Sequence, residues 1–273
     1  MEKPASKGVI YLALGDFWRD EAIYSAKTVK KHNPLPCVLF TDQMHTRKHV
    51  FDDIVYIDKS VRQEKHPYQL KVWAMLNSPY EQTLFLDTDT EVRGSVMELL
   101  DMTEHHDMAM AAMAYVDRKN FRLIAYEKPN HLYAGPHKAA VYNTGVMAFR
   151  KSEGFIRFAN SWSERVKNSG IINDGCDQSV LNEILPEIEH TALHPGIGKV
   201  PNTVYNVRSD MMPQMRRDGL LGGIRIRHDH GLHFPAYRRM YHKLRRHLVR
   251  FHTKYLTKGP IGDYAKGFTY KEK

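Results

Sequence analysis

The sequence predicts an α/β protein with a mostly parallel β-sheet and helices on both faces. Short apolar segments alternate with amphipathic helical segments through the first part of the chain. These segments are apolar throughout instead of alternating with polar residues, which is typical of parallel strands buried on both faces. Several of them end in polar or acidic residues. In such sheets ligands bind outside the carboxyl ends of the strands.

The first elements in the chain predict one ligand-binding rim. Strands are expected at residues 9–16, 36–42 and 53–58, with a helix at 19–32 after the first strand. The first strand ends in Gly15-Asp16 and the second in Thr41-Asp42. Because the carboxyl ends of parallel strands meet at one edge of the sheet, we expect these four residues to lie close together.

The following elements continue the alternation. A helix is expected around Tyr68, Val72, Met75 and Leu76, which share one helical face, and Asn77-Ser78-Pro79 ends it. Further strands are expected at 83–92, 107–116 and 141–150, and further helices at 154–167 and 176–184. Residues 196–217 are predicted to be irregular.

Length and composition exclude several classes of protein. With 273 residues and 42% hydrophobic residues, the chain can bury a sizeable core, so disorder is excluded as its main state. Cys37 and Cys176 are too far apart to suggest a disulfide framework or a four-ligand zinc site. No apolar segment has the roughly 20 residues of a membrane-spanning helix, and no secretory signal begins the sequence. A cytoplasmic location is therefore expected.

The positive charge is concentrated near the C-terminus. Residues 230–262 contain eight Lys or Arg and no Asp or Glu, which leaves a net charge of +1 for the rest of the chain. We therefore predict a catalytic domain at 1–234 and a basic tail at 235–273, whose aromatic and aliphatic residues recur at helical spacing from Tyr237 to Tyr255. Such a helix can lie on an anionic membrane or dock on the body. Clustered cations also suit nucleic acid, but no nucleic-acid motif is present, so none is expected as a partner.

A pair of carboxylates follows the apolar residues of the fourth predicted strand. Asp87 and Asp89 are two residues apart, so on an extended chain both point to the same side. Their mutual repulsion would be offset by a strong set of hydrogen bonds or by a divalent cation such as Mn²⁺ or Mg²⁺, which prefers oxygen ligands and binds phosphates. The alternative is an ordinary polar turn. A second alternative is a haloacid-dehalogenase-type phosphatase, whose D-x-D-x-[TV] motif differs here at Glu91.

Four segments together resemble the glycogenin-like retaining glycosyltransferases of the GT-A fold. FLDTDTEV is similar to their F-L-D-x-D strand, YNTGVMAFR to F-N-x-G-V-[LM], DQSVLNEI to D-Q-x-x-[LF]-N, and RHDHG to H-x-x-G. They occur in the family's order over most of residues 9–231. Two features depart from the pattern: Gly231 is followed by LHFPAY, and Lys71 stands where the family has arginine.

The resemblance implies a Rossmann-type GT-A body and a set of site residues. Asp87, Asp89 and His228 would bind the metal, although His228 lies in a histidine-rich segment where a solvated or phosphate-contacting role is the alternative. Asn143 and Asp177 would contact hydroxyls of the donor sugar, and Gln178 would lie beside its anomeric carbon; Asp177 and Gln178 are the catalytic candidates. The expected donor-binding residues are Ala13, Leu14, Gly15, Asp16, Thr41, Asp42, Lys71, Thr88, Asn143 and Lys199, with Lys71 or Lys199 neutralising phosphate.

The sequence thus predicts a metal-dependent transferase that moves a sugar from a nucleotide sugar, expected to be a UDP-sugar, with retention. The expected acceptor is a glycan or a lipid-linked glycan at the cytoplasmic membrane face. The alternatives are a metal-dependent phosphatase and a noncatalytic basic protein that binds membranes or nucleic acid.

Overall fold

The computed structural model describes residues 6–44, 50–117, 122–124, 138–168, 177–229 and 232. The main sheet contains β1 (Lys7–Ala13), β2 (Cys37–Thr41), β3 (Asp53–Tyr56), β4 (Gln82–Leu86), β6 (Met108–Asp117), β7 (Arg122–Ile124), β8 (Lys138–Arg150) and β9 (Ile197–Val200). A second, two-stranded sheet is formed by β5 (Thr90–Val92) and β10 (Ile226–His228). The helices are α1 (Asp16–His32), α2 (Lys59–Glu64), α3 (Pro67–Leu76), α4 (Met97–Met102), α5 (Glu153–Asn168), α6 (Asp177–Ile188), α7 (Asn202–Tyr205) and α8 (Met212–Arg217).

The main sheet has the order β3-β2-β1-β4-β8-β6-β7, and β9 pairs with β6. Its first four strands are parallel to one another. The long strand β8 runs antiparallel between β4 and β6, while β6 pairs with β9 in parallel. This arrangement confirms the predicted α/β class with a mostly parallel sheet.

Apolar side chains fill both faces of the sheet, which is why the strands are apolar throughout. On one face Ile10, Phe40 and Phe85 pack with residues of α3, α5 and α6, including the buried Trp162. On the other face the alternate strand residues pack with residues of α1 and α4. Helices therefore cover both sides, and polar groups reach the surface at the ends of the strands.

The strand predicted at 83–92 is two strands joined by a turn. β4 ends at Leu86, and the chain turns through Asp87 to Asp89 before β5 begins in the second sheet. The hydroxyl of Thr90 donates to the carbonyl oxygen of Asp87 at 2.8 Å, which closes this turn. Short polar side chains bond readily to nearby backbone groups and so favour a turn over an extended ladder.

The prediction that 196–217 is irregular is wrong, because β9, α7 and α8 lie within it. The helices α2 and α4 were also not predicted. Each has six residues, too few for a helical period to be recognised. The ends of two predicted helices move as well: α1 begins at Asp16, and α6 continues to Ile188 through Pro186.

Several predictions concern residues outside those that the structure describes. These are Cys176, the boundary at 234/235 and the helical pattern of the tail from Tyr237 to Tyr255. Cys37 is buried in β2, and burial raises the pKa of its thiol to about 12, so it remains an unreactive core residue. Among the described helices, none has the length and apolarity needed to cross a bilayer.

Candidate active site

The loops after β1 and β2 meet at one rim, as the sequence predicts. Gly15 adopts a φ of 88°, which side chains with a Cβ rarely adopt, and this turn leads from β1 directly into α1. Its backbone N–H donates to Oδ1 of Asp42 at 2.8 Å. The other carboxylate oxygen of Asp42 accepts from Nε of Arg62 at 3.3 Å. Asp16 begins α1 and pairs with Arg19 at 2.5 Å.

Only some of the residues predicted to bind the nucleoside are accessible at this rim. Ala13 and Thr41 are fully buried, and the Thr41 hydroxyl accepts from the backbone N–H of Gln43 at 3.1 Å. Leu14, Gly15 and Asp42 are half-buried and therefore accessible to a ligand. The side chains of Ala13 and Thr41 shape the core beneath the rim instead of lining it.

The two aspartates after β4 converge with His228, the last residue of β10. One ligand atom from each of Asp87, Asp89 and His228 lies within 4.8 Å of the other two. His228 Nε2 is 3.1 Å from Oδ1 of Asp89 and 3.8 Å from Oδ2 of Asp87. The second sheet creates this proximity, since β10 pairs with β5 and places His228 opposite Thr90.

Gly145 of β8 allows the backbone to lie directly against this group. A Cβ at this position would be 2.2 Å from Cε1 of His228 and 2.6 Å from Oδ2 of Asp87. The carbonyl oxygen of Gly145 also accepts from the backbone N–H of Asp87 at 2.8 Å. The absence of a side chain at Gly145 is therefore part of how the site is built.

The ammonium group of Lys71 lies between two carboxylates. Its Nζ is 2.9 Å from Oδ1 of Asp87, 2.9 Å from Oδ2 of Asp177 and 3.2 Å from the hydroxyl of Thr144. Burial lowers the pKa of Lys71, but the charges of Asp177 and Asp87 outweigh burial and raise it above its ordinary value. Lys71 thus links the metal-site candidate Asp87 to the first residue of α6. From the sequence, Lys71 was expected to contact phosphate, and these two ion pairs were not anticipated.

The catalytic candidates lie at the start of α6, where hydrogen bonds hold them in place. The carbonyl oxygen of Asp177 accepts from Nε1 of Trp162 at 3.0 Å, and its side chain faces Lys71. Asn143 donates from Nδ2 to Oε1 of Gln178 at 2.8 Å. Oδ1 of Asn143 in turn accepts from the backbone N–H of Gly145 at 2.9 Å. Asn143, Asp177 and Gln178 therefore belong to the same site as the aspartates.

Two further predicted donor-binding residues, Lys199 and Thr88, differ in their exposure. Lys199 is exposed on β9 and makes no ion pair with any described residue. Thr88, between the two aspartates, is buried and donates to Oε2 of Glu21 at 3.2 Å. Sequence reasoning missed Glu21, Thr144 and Asn206. Glu21 and Thr144 carry no motif signal, and Asn206 lies in the stretch that was predicted to be irregular.

The donor set of Asp87, Asp89 and His228 fits a divalent cation. Two carboxylates and one imidazole are acceptable ligands to Mn²⁺, and the carboxylates also suit Mg²⁺. Burial raises the pKa of Asp87, and the charges of Lys71 and His228 oppose this effect. The nearby charge of Asp89 raises the pKa of Asp87 further, because the two carboxylates repel each other. A cation bound among these groups would relieve that repulsion.

Residues 81–234 match the family model described as nucleotide-diphospho-sugar transferase, which spans more than half of the chain. The chain belongs to this family. Membership confirms the predicted resemblance and the class of enzyme, a nucleotide-sugar-dependent glycosyltransferase. It also favours this class over the phosphatase alternative. No curated protein matches the sequence.

Solved glycosyltransferases share the fold at low sequence identity. The glycosyltransferase GlyE of Streptococcus pneumoniae TIGR4 is 14% identical over 81% of this chain and 54% of its own, with a TM-score of 0.53. The galactosyltransferase LgtC, in complex with donor and acceptor sugar analogs, is 14% identical over 82% of this chain and 87% of its own, with a TM-score of 0.52. Mouse xyloside xylosyltransferase 1 is 12% identical over 82% and 97%, with a TM-score of 0.51.

These likenesses establish the GT-A fold of the nucleotide-diphospho-sugar transferase described here. The chain spans about half the length of GlyE (54%). In the structure, the D-x-D turn, the N-T-G segment of β8 and the start of α6 lie together at the carboxyl end of β4.

Proposed function

We propose that this transferase moves a sugar from a UDP-sugar to a glycan or a lipid-linked glycan, with Mn²⁺ or Mg²⁺ held by Asp87, Asp89 and His228. One observation carries the proposal: the two carboxylates and the imidazole converge within 4.8 Å. Lys71 joins the same group to Asp177, the first residue of α6. Metal ligands and sugar-binding candidates are thus parts of one ion-paired cluster.

Transfer requires cleavage of the bond between the anomeric carbon and the diphosphate. A bound divalent cation supplies a Lewis acid for the negative charge that develops on the leaving diphosphate. The residues of this chain hold the reacting groups in place. Lys71 contacts both Asp87 and Asp177, so that one acid can face the cation while the other faces the sugar.

The donor sugar would lie against Asn143, Asp177 and Gln178. Asn143 and Gln178 bond to each other at 2.8 Å, so a sugar that contacts one of them lies beside the other. An amide at Gln178 can support positive charge that develops on the sugar through its carbonyl oxygen. We propose retention of configuration, in which the leaving phosphate accepts the proton of the attacking hydroxyl.

The nucleoside would bind at the half-buried rim formed by Leu14, Gly15 and Asp42. Lys199 remains our candidate for an additional phosphate contact. We further propose a cytoplasmic enzyme whose basic tail at 235–273 meets an anionic membrane that carries the acceptor. The solved LgtC complex contains both donor and acceptor sugar analogs, which supports a similar two-substrate arrangement here.

Donor hydrolysis tests the function. The full chain should slowly hydrolyse one nucleotide sugar in the presence of Mn²⁺, and Asp87→Asn should abolish this activity. Asp101→Asn is the matched control because Asp101 is an exposed acid on α4 whose ion-pair partner among the described residues is Lys7, at 2.7 Å. Release of inorganic phosphate from monoesters, or hydrolysis that Asp87→Asn leaves intact, would contradict the proposal.

A panel of nucleotide sugars identifies the donor. A ligand that binds only the native state raises the melting temperature, and a concentration of 100 times Kd adds about 2.7 kcal/mol of stability. UDP-sugars should raise it most, and only when Mn²⁺ is present. An equal effect of GDP-sugars would contradict the choice of base.

A further inference from the structure

Asn206 is the hydrogen-bond partner of the imidazole in the metal-site candidate. Its Oδ1 is 2.8 Å from Nδ1 of His228, and the two side chains are almost completely buried, at 1% and 9% exposure. We infer that Asn206 is a positioning residue that selects the tautomer in which His228 can bind a metal. This inference rests on the proposed metal-dependent function.

The chemistry of an amide oxygen determines the tautomer. Oδ1 of Asn206 can only accept a hydrogen bond, so the facing Nδ1 of His228 must carry a proton. In a neutral imidazole with Nδ1 protonated, Nε2 has a lone pair. Nε2 is the atom that lies 3.1 Å from Asp89 and 3.8 Å from Asp87. The lone pair thus lies beside the two carboxylates, as a third metal ligand must.

The backbone fixes Asn206 and His228 opposite each other. Asn206 directly follows α7, and the next residue, Val207, donates its N–H to the carbonyl oxygen of Ile226 at 3.0 Å. The carbonyl oxygen of Val207 accepts from the N–H of His228 at 2.9 Å. These two backbone hydrogen bonds hold the segment after α7 against β10. Asn206 is therefore already in position beside Nδ1 of His228 when the protein is folded.

The opposite tautomer would compete with the metal. With a proton on Nε2, His228 would donate a hydrogen bond to Oδ1 of Asp89 across the observed 3.1 Å. That bond would engage both His228 and Asp89, which are two of the three candidate metal ligands. Asn206 disfavours this state, because the unprotonated Nδ1 would then face the oxygen of Asn206 without a proton between them. Partners that orient a metal-binding histidine typically contribute about 10- to 100-fold to metal affinity.

Titration of MnCl₂ into the full chain by calorimetry tests the inference. Asn206→Leu removes the acceptor at similar volume and should weaken Mn²⁺ binding about 10- to 100-fold. Asn206→Asp keeps an acceptor for Nδ1–H and should restore affinity to the wild-type value or better. Asn202→Leu is the matched control: Asn202 is a buried asparagine on α7 whose side-chain atoms bond to no described residue.

The variants separate positioning from a general loss of structure. Unchanged Mn²⁺ affinity in Asn206→Leu overturns the inference, and so does an equal loss in Asn202→Leu. If the wild-type chain binds no Mn²⁺, the metal in the proposed function fails as well. Weakened binding only in Asn206→Leu supports both.

A spectroscopic measurement needs no folded Asn206 variant. Long-range ¹H–¹⁵N correlation spectra of the protein saturated with diamagnetic Zn²⁺ as the probe report which imidazole nitrogen carries the proton, and the signals of His228 are those missing in His228→Gln. At a pH where the ring is neutral, we expect a protonated Nδ1 and an unprotonated Nε2. A protonated Nε2 overturns the inference.

Discussion

At Gly145 the backbone of β8 lies directly against the metal-site candidate. Replacing Gly145 with alanine would place Cβ 2.2 Å from Cε1 of His228 and 2.6 Å from Oδ2 of Asp87. Both side chains must then move by about 1 Å or more, and a misplacement of that size costs on the order of 100-fold in rate. We expect Mn²⁺-dependent donor hydrolysis to fall by about this factor in Gly145→Ala.

A second glycine provides the control for this prediction. Gly222 is exposed, and a Cβ there would meet nothing within 4 Å, so Gly222→Ala should keep the wild-type rate. Rates are compared under saturating Mn²⁺ and donor. Equal rates for the two alanine variants would show that the site tolerates a methyl group at Gly145.

Lys71 neutralises two acids, and its loss should destabilise the metal-free protein. Lys71→Met keeps the apolar stem over the ring of Phe85, which lies 4.9 Å from Nζ, but leaves Asp177 without its cation. The exposed fractions of the Lys71 and Asp177 side chains are only 9% and 7%. Removing one partner of a buried pair costs about 3–5 kcal/mol, and we expect a loss of that size in the free energy of unfolding, measured with urea.

The effect of Lys71→Met should depend on Asp177. Asp177→Asn in the same chain removes the uncompensated charge, so the double variant should regain part of the lost stability. Lys7→Met breaks an exposed pair with Asp101 and should cost at most about 1 kcal/mol. Similar losses for Lys7→Met and Lys71→Met would contradict a buried ionic network.

Individual ligands could be predicted from the sequence, but their surroundings could not. Asp87 and Asp89 were expected to converge because residues alternate along an extended chain, whereas they converge through a turn after β4. Lys71 was expected to contact phosphate and instead pairs with two carboxylates. Nothing local in the sequence specifies contacts between residues so far apart as Glu21 and Thr88, which depend on how α1 packs against the turn.

At the scale of secondary-structure elements, Asp107 joins three segments at the end of the sheet opposite the site. Its carboxylate accepts from the hydroxyl of Ser152 before α5, from the N–H of Gly196 before β9 and from the guanidinium of Arg150 at the end of β8. Burial raises the pKa of Asp107, but these hydrogen bonds outweigh burial and lower it below its ordinary value. The ionised form therefore stabilises the junction.

A lowered pKa determines the sign of the pH dependence. The stabilisation is fully present above the unfolded-state value of about 3.9 and is lost as the pH falls through the lower folded-state pKa. Asp107→Asn should lower the free energy of unfolding by about 1–3 kcal/mol at neutral pH. Urea unfolding should show the difference from wild type shrinking below about pH 4. A difference that stays constant at low pH would contradict an ionic role, and Asp101→Asn, at an exposed pair, should show little difference at either pH.

Elements with a clear apolar pattern were predictable, and elements without one were not. The buried strands β1, β2 and β4 and the helices α1, α3 and α5 carry enough apolar residues for their period to be recognised. In contrast, β9, α7 and α8 contain four to six residues each, and tertiary contacts decide their structure. The prediction of an irregular 196–217 failed for this reason, and with it the position of Asn206 beside His228 was missed.

At the scale of the whole molecule, the fold was predictable because its signals are independent of one another. Alternating strands and helices indicate the α/β class, and four separate motifs occur in the order that the family uses. The match to the family model begins at residue 81, just before β4, so the first three strands are supported by pattern and by fold likeness. The sequence is only 14% identical to that of LgtC, although the two proteins share the fold. The pattern of apolar residues and a small number of shared residues are therefore enough to specify this fold.

At the same scale, the role of the basic tail can be tested by comparing the full chain with a chain that lacks the tail. A chain ending at residue 234 keeps Asp87, Asp89 and His228 and should hydrolyse donor at the wild-type rate. The full chain should bind vesicles of anionic phosphatidylserine, at about 1 kcal/mol per basic residue near the surface, and release them at high salt. The truncated chain should not bind, and vesicles of neutral phosphatidylcholine serve as the control for both.

A variant of the full chain separates charge from apolar contact. Replacing the eight Lys and Arg residues of 230–262 with Gln keeps the aromatic and aliphatic residues of the tail. Loss of vesicle binding in this variant, with donor hydrolysis intact, is the result expected for electrostatic attachment to a membrane. If truncation instead lowers the melting temperature of the body and vesicle binding is absent in the full chain, the tail docks on the catalytic domain, and the acceptor need not be membrane-bound.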